Sequence, residues 1–295
     1  GTILGTTNRG RFVAKVGSGK KSQIDPEILQ QAKETCRGLG IHALICIGGD
    51  GSLSTSLQLQ KAGVNVVGVP KTIDNDILAT ATSFGFDYAV TCVVDSLDRL
   101  HTTARSHKRI MVVETMGRHA GWIALQGGLA GGADAILIPE IPFHFSKVAE
   151  FAKERAALGL ASTMIVVAEG AIPAKGRLST IEAGLRGKGE VRLGGIGAHV
   201  AHEMERRTGQ ETRHVVLGHL QRGGNPTALD RILGVRFGVG AVELVVRKKF
   251  GHMVSYQNYE IGGVPIARAV ARIRTVPPKG QFVHHAREIG ICFGD

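Results

Sequence analysis

The chain reads Ala43-Leu44-Ile45-Cys46-Ile47-Gly48-Gly49-Asp50-Gly51-Ser52, an apolar run that ends in a glycine-rich turn. A second apolar run, Val64–Val69, leads into Pro70-Lys71-Thr72-Ile73-Asp74-Asn75-Asp76. Continuous apolar runs of this kind are typical of buried parallel strands, and open α/β sheets bind ligands at the carboxyl ends of their strands. We therefore expect each polar motif to lie at a ligand-binding edge of a sheet.

Similar runs recur along the chain and alternate with helical patterns. Beyond the first two strands, we predict strands at Arg109–Val113, Ala135–Ile138, Thr163–Ala168 and His214–Leu217. Helices are predicted over Asp25–Leu39, Ser52–Ala62, Tyr88–Ser106, Ile196–Arg207 and Ala228–Phe250, with another starting near His119. Strands that alternate with helices indicate βα units, and 295 residues suffice for two modest domains.

Composition restricts the class of protein. The sequence has no apolar stretch of about 18 residues and no basic-then-apolar leader, so we expect a cytoplasmic enzyme without a membrane span or signal peptide. Its four cysteines form no Cys-x-x-Cys pair, which predicts free thiols. The excess of 36 Lys and Arg over 25 Asp and Glu gives a net charge of +11. Because these basic residues are dispersed, they favour an anionic small substrate over nucleic acid.

The glycine-rich turn has the chemistry of a phosphate site. Gly48 and Gly49 permit a tight strand-to-helix turn whose backbone N–H groups face an anion, and the helix dipole adds positive potential. Asp50 would then bind magnesium. A plain turn with a capping aspartate is the alternative. Because NAD kinases and diacylglycerol kinases carry a similar motif, the turn does not identify the substrate.

The second motif adds acid–base chemistry. Asp74 and Asp76 place two carboxylates two residues apart at a strand end. One can act as a base while the other binds a metal or supports the structure, as a kinase requires near its acceptor hydroxyl. An Asx-type turn without a catalytic role is the alternative.

Together with Met116-Gly117-Arg118 and Leu217–Gly224, these motifs resemble the 6-phosphofructokinase family. The resemblance covers nearly the whole chain, and the four motifs follow the family's order. It implies an α/β fold of two lobes, each a mostly parallel sheet flanked by helices. It also implies phosphorylation of fructose 6-phosphate at the 1-hydroxyl by MgATP, a step of glycolysis that yields fructose 1,6-bisphosphate.

The resemblance implies roles for individual residues on the donor side. Asp74 corresponds to the base that takes the proton of the 1-hydroxyl, and Thr72 to its neighbour at the transferred phosphoryl group. Asp50 corresponds to the magnesium ligand, and Asp76 to a support of the metal shell or of the turn. The residues that line the donor phosphates are Gly49, Gly51 and Ser52, and Arg9 lies near the family's donor-phosphate arginine.

On the sugar side, the resemblance implies a loop around the sugar, a hydroxyl-binding carboxylate and a 6-phosphate clamp. These residues are Met116, Gly117, Arg118, Glu169, His219 and Arg222, of which Arg118 also counts as catalytic. Arg109 and Arg213 resemble phosphate-binding arginines that reach across from a neighbouring subunit. We therefore expect a homo-oligomer, a dimer or a tetramer. Arginine suits this role because its planar fork binds phosphate bidentately.

Two positions bear on the phosphoryl donor. Gly51 stands where ATP-dependent relatives keep a glycine beside the α-phosphate and pyrophosphate-dependent relatives commonly have an aspartate. Lys71 stands where many ATP enzymes have glycine and pyrophosphate enzymes have lysine. An aspartate repels a nearby phosphate, whereas a lysine can serve either donor. We therefore expect ATP, with pyrophosphate as the alternative.

The resemblance also predicts how the chain divides. Residues 1–85 and 226–278 are expected to form the donor-binding lobe, and residues 86–225 and 279–295 the sugar-binding lobe. The sequence contains neither the family's first strand nor the glycine-rich turn that follows it, so we expect the donor lobe to lack both. A noncatalytic sugar-phosphate-binding subunit is therefore a further alternative.

Overall fold

The computed structural model describes Gly5, Phe12 and residues 23–174, 176 and 194–295. Arg9, assigned above to the donor site, lies outside them. The chain divides into two compact units, one built from Gly1–Asp87 and Asn225–Arg274 and the other from Tyr88–Gly224 and Thr275–Asp295.

The described residues form eight strands and nine α-helices. The strands are β1 (Leu44–Gly48), β2 (Val66–Pro70), β3 (Ile110–Thr115), β4 (Ala135–Leu137), β5 (Thr163–Ala168), β6 (Thr212–Val216), β7 (His252–Gln257) and β8 (Glu260–Pro265). The helices are α1 (Pro26–Gly38), α2 (Asp50–Lys61), α3 (Phe86–His107), α4 (Trp122–Ala130), α5 (Phe145–Ala157), α6 (Ile196–Thr208), α7 (Ala228–Val246), α8 (Ile266–Ala269) and α9 (Gln281–Glu288). A 3₁₀ helix covers Gly218–Arg222.

The sheet of the first unit has the order β1-β2-β7-β8. Strands β1, β2 and β7 are parallel, and β8 is an antiparallel edge strand. Every residue of β2 is buried, as expected for a strand covered on both faces. On one face Val67 and Val69 pack against Phe237 of α7, and on the other Leu53 of α2 packs against Met253.

The sheet of the second unit is entirely parallel, with the order β4-β5-β3-β6. Strands β3 and β5 are buried along their whole length. Helices α5 and α6 cover one face, where Val148, Val200 and Met204 join the core formed by the strands. Both sheets therefore present their parallel carboxyl ends as edges at which loops can carry function.

The predicted α/β fold with two mostly parallel sheets is confirmed, but the sequence analysis did not identify β7 and β8. The helix predicted to reach Phe250 ends at Val246. The hairpin turns at Asn258 and Tyr259, whose φ values are 50° and 65°. Two adjacent residues with positive φ give the turn that matches the twist of a two-residue hairpin. Tyrosine is an unusual residue there, so the turn carries a weak sequence signal.

Within the part of the chain that the structure describes, no helix is both long and apolar enough to cross a lipid bilayer.

Candidate active site

The two polar motifs of the first unit lie side by side at the carboxyl edge of its sheet. Gly48, the last residue of β1, is paired with Pro70, the last residue of β2. The Lys71 N–H donates to the carbonyl oxygen of Gly48 at 2.9 Å. A Cβ atom added to Gly49 would lie 3.3 Å from the Thr72 Cβ. The strand pairing therefore brings the glycine turn and the carboxylate motif into contact.

The glycine turn requires close approach of the backbone. A Cβ atom on Gly48 would lie 2.4 Å from both the Cβ and the Oγ of Ser52, a distance that real Cβ contacts do not reach. This approach lets α2 begin at Asp50, directly after the strand. Gly49 is the N-cap residue and supplies no side-chain cap. The first turn of α2, which contains Gly51 and Ser52, thus presents the N–H groups and positive dipole end that bind anions.

Asp74 and Thr72 form a reciprocal pair after β2. The Thr72 hydroxyl donates to the Asp74 carboxylate, with 3.2 Å between Oγ1 and Oδ2, and the Asp74 N–H donates back to Thr72 Oγ1 at 3.1 Å. Ser83 fixes the same turn, since its hydroxyl donates to the Thr72 carbonyl oxygen at 2.8 Å. The two residues assigned to the reacting groups are therefore held in one rigid turn.

Asn75, between the two aspartates, adopts a left-handed conformation with φ of 52° and is 2% exposed. Its Oδ1 accepts from the Ser83 N–H at 3.3 Å and from Arg274 Nη1 at 3.4 Å. The Arg274 N–H donates to the Asp76 carbonyl oxygen at 2.7 Å. The sequence analysis assigned no role to Asn75 or Arg274. Asparagine tolerates positive φ, so Asn75 could have suggested a turn from the sequence. Arg274 lies 199 positions from Asn75, and no nearby sequence pattern indicates their contact.

Asp76 has the electrostatics of a cation ligand. Its Oδ1 is buried without a hydrogen-bond partner. Burial and, to a smaller extent, the neighbouring Asp74 and Asp50 carboxylates together raise the pKa of Asp76 from 3.8 to about 7. A buried acceptor that faces two other carboxylates would be relieved by a bound cation. The residues at this edge therefore fit a magnesium ion.

We expect Asp76→Asn to stabilise the metal-free protein at neutral and alkaline pH. The folded-state pKa of about 7 exceeds the unfolded value of 3.8, so unfolding becomes easier as pH rises between them. Asparagine has no charge to bury, so the gain should be largest above pH 7, of the order of 1–3 kcal/mol, and vanish below about pH 4. The gain in stability is measured by thermal unfolding of the variant and the wild type in EDTA from pH 4 to pH 8.5. Asp98→Asn, at an exposed position of α3, is the control. A pH-independent difference would contradict the prediction.

In the second unit, the sugar-side residues follow three neighbouring strands. Met116, Gly117 and Arg118 come directly after β3, and Glu169 comes directly after β5. His219 and Arg222 lie on the 3₁₀ helix after β6. Because β5, β3 and β6 are adjacent and parallel, these loops leave the same edge of the sheet.

Two of these loops are in direct backbone contact. The Glu169 N–H donates to the Thr115 carbonyl oxygen at 2.9 Å, and the Gly170 N–H donates to that of Gly117 at 3.2 Å. A Cβ atom on Gly170 would lie 2.2 Å from the carbonyl oxygen of Arg118, so a larger residue would push the Arg118 loop away. Gly117 has φ of 137°, which L-residues with a Cβ rarely adopt. Both glycines therefore set the position of the Arg118 loop.

Arg109 and Arg213 do not join this edge. Arg109 precedes β3 and Arg213 is near the start of β6, so both lie at the opposite end of the sheet, about 20 Å away at 3.3 Å per strand residue. Both pair with Glu211, and 2.7 Å separates Arg109 Nε from Glu211 Oε2. These ion pairs lower the pKa of Glu211. Within one chain, the two arginines form a separate basic cluster.

Comparison with known proteins agrees with this geometry. The family model described as phosphofructokinase matches residues 1–245. The ATP-dependent 6-phosphofructokinase of Chloroflexus aggregans is 50% identical over 295 residues, all of this chain and 80% of the relative. The pyrophosphate–fructose 6-phosphate 1-phosphotransferase of Streptomyces coelicolor is 45% identical over 295 residues, all of this chain and 81% of the relative.

A solved structure shows the same fold. The crystal structure of Pichia pastoris phosphofructokinase in the T-state matches with a TM-score of 0.77 and 29% identity. The match covers 98% of this chain and 30% of the much longer yeast chain. Because the phosphofructokinase family model matches most of this chain, the chain belongs to the phosphofructokinase family.

Proposed function

We propose that this chain phosphorylates fructose 6-phosphate at the 1-hydroxyl with MgATP and forms fructose 1,6-bisphosphate. The observation that carries the proposal is the Thr72–Asp74 pair, held beside the glycine turn at the carboxyl ends of β1 and β2. A carboxylate fixed by a hydroxyl next to a phosphate-binding helix terminus suits phosphoryl transfer to an alcohol.

Asp74 acts as the base that takes the proton of the 1-hydroxyl. The Thr72 hydroxyl, already bonded to the Asp74 carboxylate, holds that carboxylate in place and reaches the transferred phosphoryl group. Gly49, Gly51 and Ser52 surround the donor phosphates with backbone N–H groups of the first turn of α2. Catalysis of this kind depends on positioning and charge stabilisation more than on covalent chemistry.

Asp50 and Asp76 are the residues that would hold magnesium, which neutralises charge on the phosphates when bound. The unpartnered Oδ1 of Asp76 supports this assignment. Among the described residues, no group of three or more His, Cys, Asp or Glu side chains is arranged to bind a metal. Magnesium commonly uses one or two carboxylates and completes its shell with substrate phosphates and water.

ATP is preferred as the donor because residue 51, in the first turn of α2, is a glycine. An aspartate at this position would repel a nucleotide phosphate. Overall similarity does not separate the donors, since relatives named for each are 50% and 45% identical to this chain. Lys71 fits either donor. Pyrophosphate-dependent transfer is therefore the second candidate function, and Lys71 is the residue that favours it.

The first unit serves as the donor lobe and the second as the sugar lobe. In the second, Glu169 binds sugar hydroxyls and the Met116, Gly117 and Arg118 loop embraces the sugar. His219 and Arg222 hold the 6-phosphate. Arg109 and Arg213 serve a neighbouring subunit in a homodimer or homotetramer, which their separation from that edge supports. The four free cysteines fit a reducing compartment, the cytoplasm.

The test is a donor competition with full-length enzyme in an aldolase-coupled assay. We expect kcat/KM with ATP to exceed that with pyrophosphate by at least about tenfold, and EDTA to abolish turnover. A preference for pyrophosphate would support the second candidate. Binding of fructose 6-phosphate with no turnover on either donor would support a noncatalytic subunit instead.

A further inference from the structure

We infer that Arg274 is a positioning residue, which sets the direction of the Asp74 carboxylate by holding the Asp74-Asn75-Asp76 turn. The inference deepens the proposed function and rests on it, because the turn carries the proposed base. Arg274 acts on Asp74 through Asn75 and the backbone of Asp76.

Arg274 binds the turn with both its side chain and its main chain. Nη1 donates to Asn75 Oδ1 at 3.4 Å and to the carbonyl oxygens of Thr80 at 3.2 Å and Ala81 at 2.8 Å. The Arg274 N–H donates to the Asp76 carbonyl oxygen at 2.7 Å. One residue therefore connects the beginning of the loop at Asn75 and Asp76 with its far end at Thr80 and Ala81.

The guanidinium is partly buried where it makes these bonds. Burial lowers the pKa of Arg274, and an arginine stays protonated in proteins even so. A partly buried guanidinium that donates to three oxygen atoms of the loop gives the loop a cationic anchor.

Asn75 is the point at which the turn is vulnerable. Its left-handed backbone is costly for a residue with a Cβ, and asparagine tolerates it better than most. Among the described residues, two donors hold its side chain, the Ser83 N–H at 3.3 Å and Arg274 Nη1 at 3.4 Å. If the contact with Arg274 is lost, the peptide units on both sides of Asn75 gain freedom, and these carry Asp74 and Asp76.

The rest of the loop has anchors of its own. The Leu78 N–H donates to the Ala269 carbonyl oxygen at 3.1 Å, and the Ala81 N–H to that of Tyr256 at 2.7 Å. Gln257 Nε2 donates to the Ala79 carbonyl oxygen at 2.8 Å. Loss of the Arg274 side chain should therefore loosen the catalytic end of the loop and leave the fold intact.

The test compares Arg274→Met with Arg274→Lys and with Arg272→Met, a control at an exposed position two residues earlier. In full-length enzyme we expect Arg274→Met to lower kcat about 10–100-fold with less than about a threefold change in KM for fructose 6-phosphate, because misplacement of a reacting group acts on the transition state. Arg274→Lys should recover part of the loss, and Arg272→Met should leave kcat unchanged. A change in KM alone, or unchanged kcat in Arg274→Met, would overturn the inference.

A double-mutant cycle tests the route through Asn75. Asn75→Gly removes the amide and keeps a residue that accepts positive φ. If Arg274 acts through Asn75, the kcat losses of Arg274→Met and Asn75→Gly should be less than additive in the double variant. Additive losses would show that the two residues act separately and would contradict this route.

Hydrogen exchange separates failure of the inference from failure of the proposed function. We expect amides of residues 74–77 to exchange faster in Arg274→Met than in Arg272→Met, with amides of β7 unchanged. This readout does not depend on turnover.

Unchanged exchange at 74–77 would overturn the inference. Faster exchange at 74–77 in Arg274→Met, combined with no phosphoryl transfer by the wild-type enzyme, would leave the positioning role standing and refute the proposed activity. Exchange that rises equally throughout the first unit would indicate that Arg274 has a structural role only and would also overturn the inference.

Discussion

Replacing Asp74 with serine should lower kcat for fructose 6-phosphate phosphorylation by about 10²–10⁴-fold, the range over which general base catalysis contributes. Serine keeps a small polar side chain but cannot take the proton of the sugar hydroxyl at neutral pH. Asp74 is not the residue that binds the sugar phosphate in the proposed site, so KM for fructose 6-phosphate should change little. Steady-state kinetics with saturating MgATP measures both parameters.

Two controls show whether this loss is specific. Asp98→Ser, at an exposed position of α3, should leave kcat unchanged. Thr72→Val removes the hydroxyl that donates to Asp74 and should cause a smaller loss, since the carboxylate remains but is held less firmly. Near-normal turnover of Asp74→Ser would refute the assignment of the base.

Gly51→Asp should lower kcat/KM for ATP by about 10²–10³-fold and that for pyrophosphate much less. Two unit charges 4 Å apart interact by about 4 kcal/mol at the effective dielectric of a protein surface, which corresponds to about three powers of ten. Because Lys71 remains available to bind a departing phosphate, the ratio of the two donor activities should move strongly towards pyrophosphate.

The substitution should not disturb the helix, because an acidic residue in the first turn complements the helix dipole. The matched control is Gly238→Asp in α7, where an added Cβ meets nothing within 4 Å. That variant should keep the wild-type donor ratio, and thermal unfolding should show both variants folded. If Gly51→Asp retains its activity with ATP, residue 51 does not select the donor.

Much of the fold follows from local patterns in the sequence. The apolar runs Ala43–Ile47 and Val64–Val69 define β1 and β2 within two residues of the observed bounds, because a continuous hydrophobic run indicates a strand. The expected burial is confirmed for β2 and wrong for β1, in which Ile45 and Ile47 are exposed. The hairpin of β7 and β8 is different. Strand β8 is an edge strand with mostly exposed residues, so its sequence shows neither a continuous run nor a clear alternation.

The candidate site likewise contains residues that the sequence predicts and residues that it does not. Thr72, Asp74 and Asp76 are adjacent in sequence, so their motif could be recognised from the chain alone. The contribution of Arg274 could not, since nothing near Arg274 in sequence indicates that it meets Asn75. Contacts between residues far apart in sequence are fixed by packing of the whole unit, which local patterns do not encode.

Arg109 and Arg213 lie away from the other sugar-side residues of this chain. The resemblance assigns both to the phosphate site of a neighbouring subunit. The register of β3 and β6 places them at the amino ends of those strands, beside Glu211, while Met116, Glu169 and His219 follow the carboxyl ends. Position along a parallel strand decides which edge a residue occupies, and the predicted strands Arg109–Val113 and His214–Leu217 already placed both arginines at amino ends.

The sequence alone determined the α/β class, the two phosphate-related motifs and the residue types that can perform phosphoryl transfer, because each depends on residues a few positions apart. Only the tertiary structure decided which of these residues share an edge, how the Asp74-Asn75-Asp76 turn is held and why Asp76 is left with a buried unpaired oxygen. Those properties arise from burial and from contacts across many residues. They exist only once the two sheets have formed and water has been excluded from around the turn.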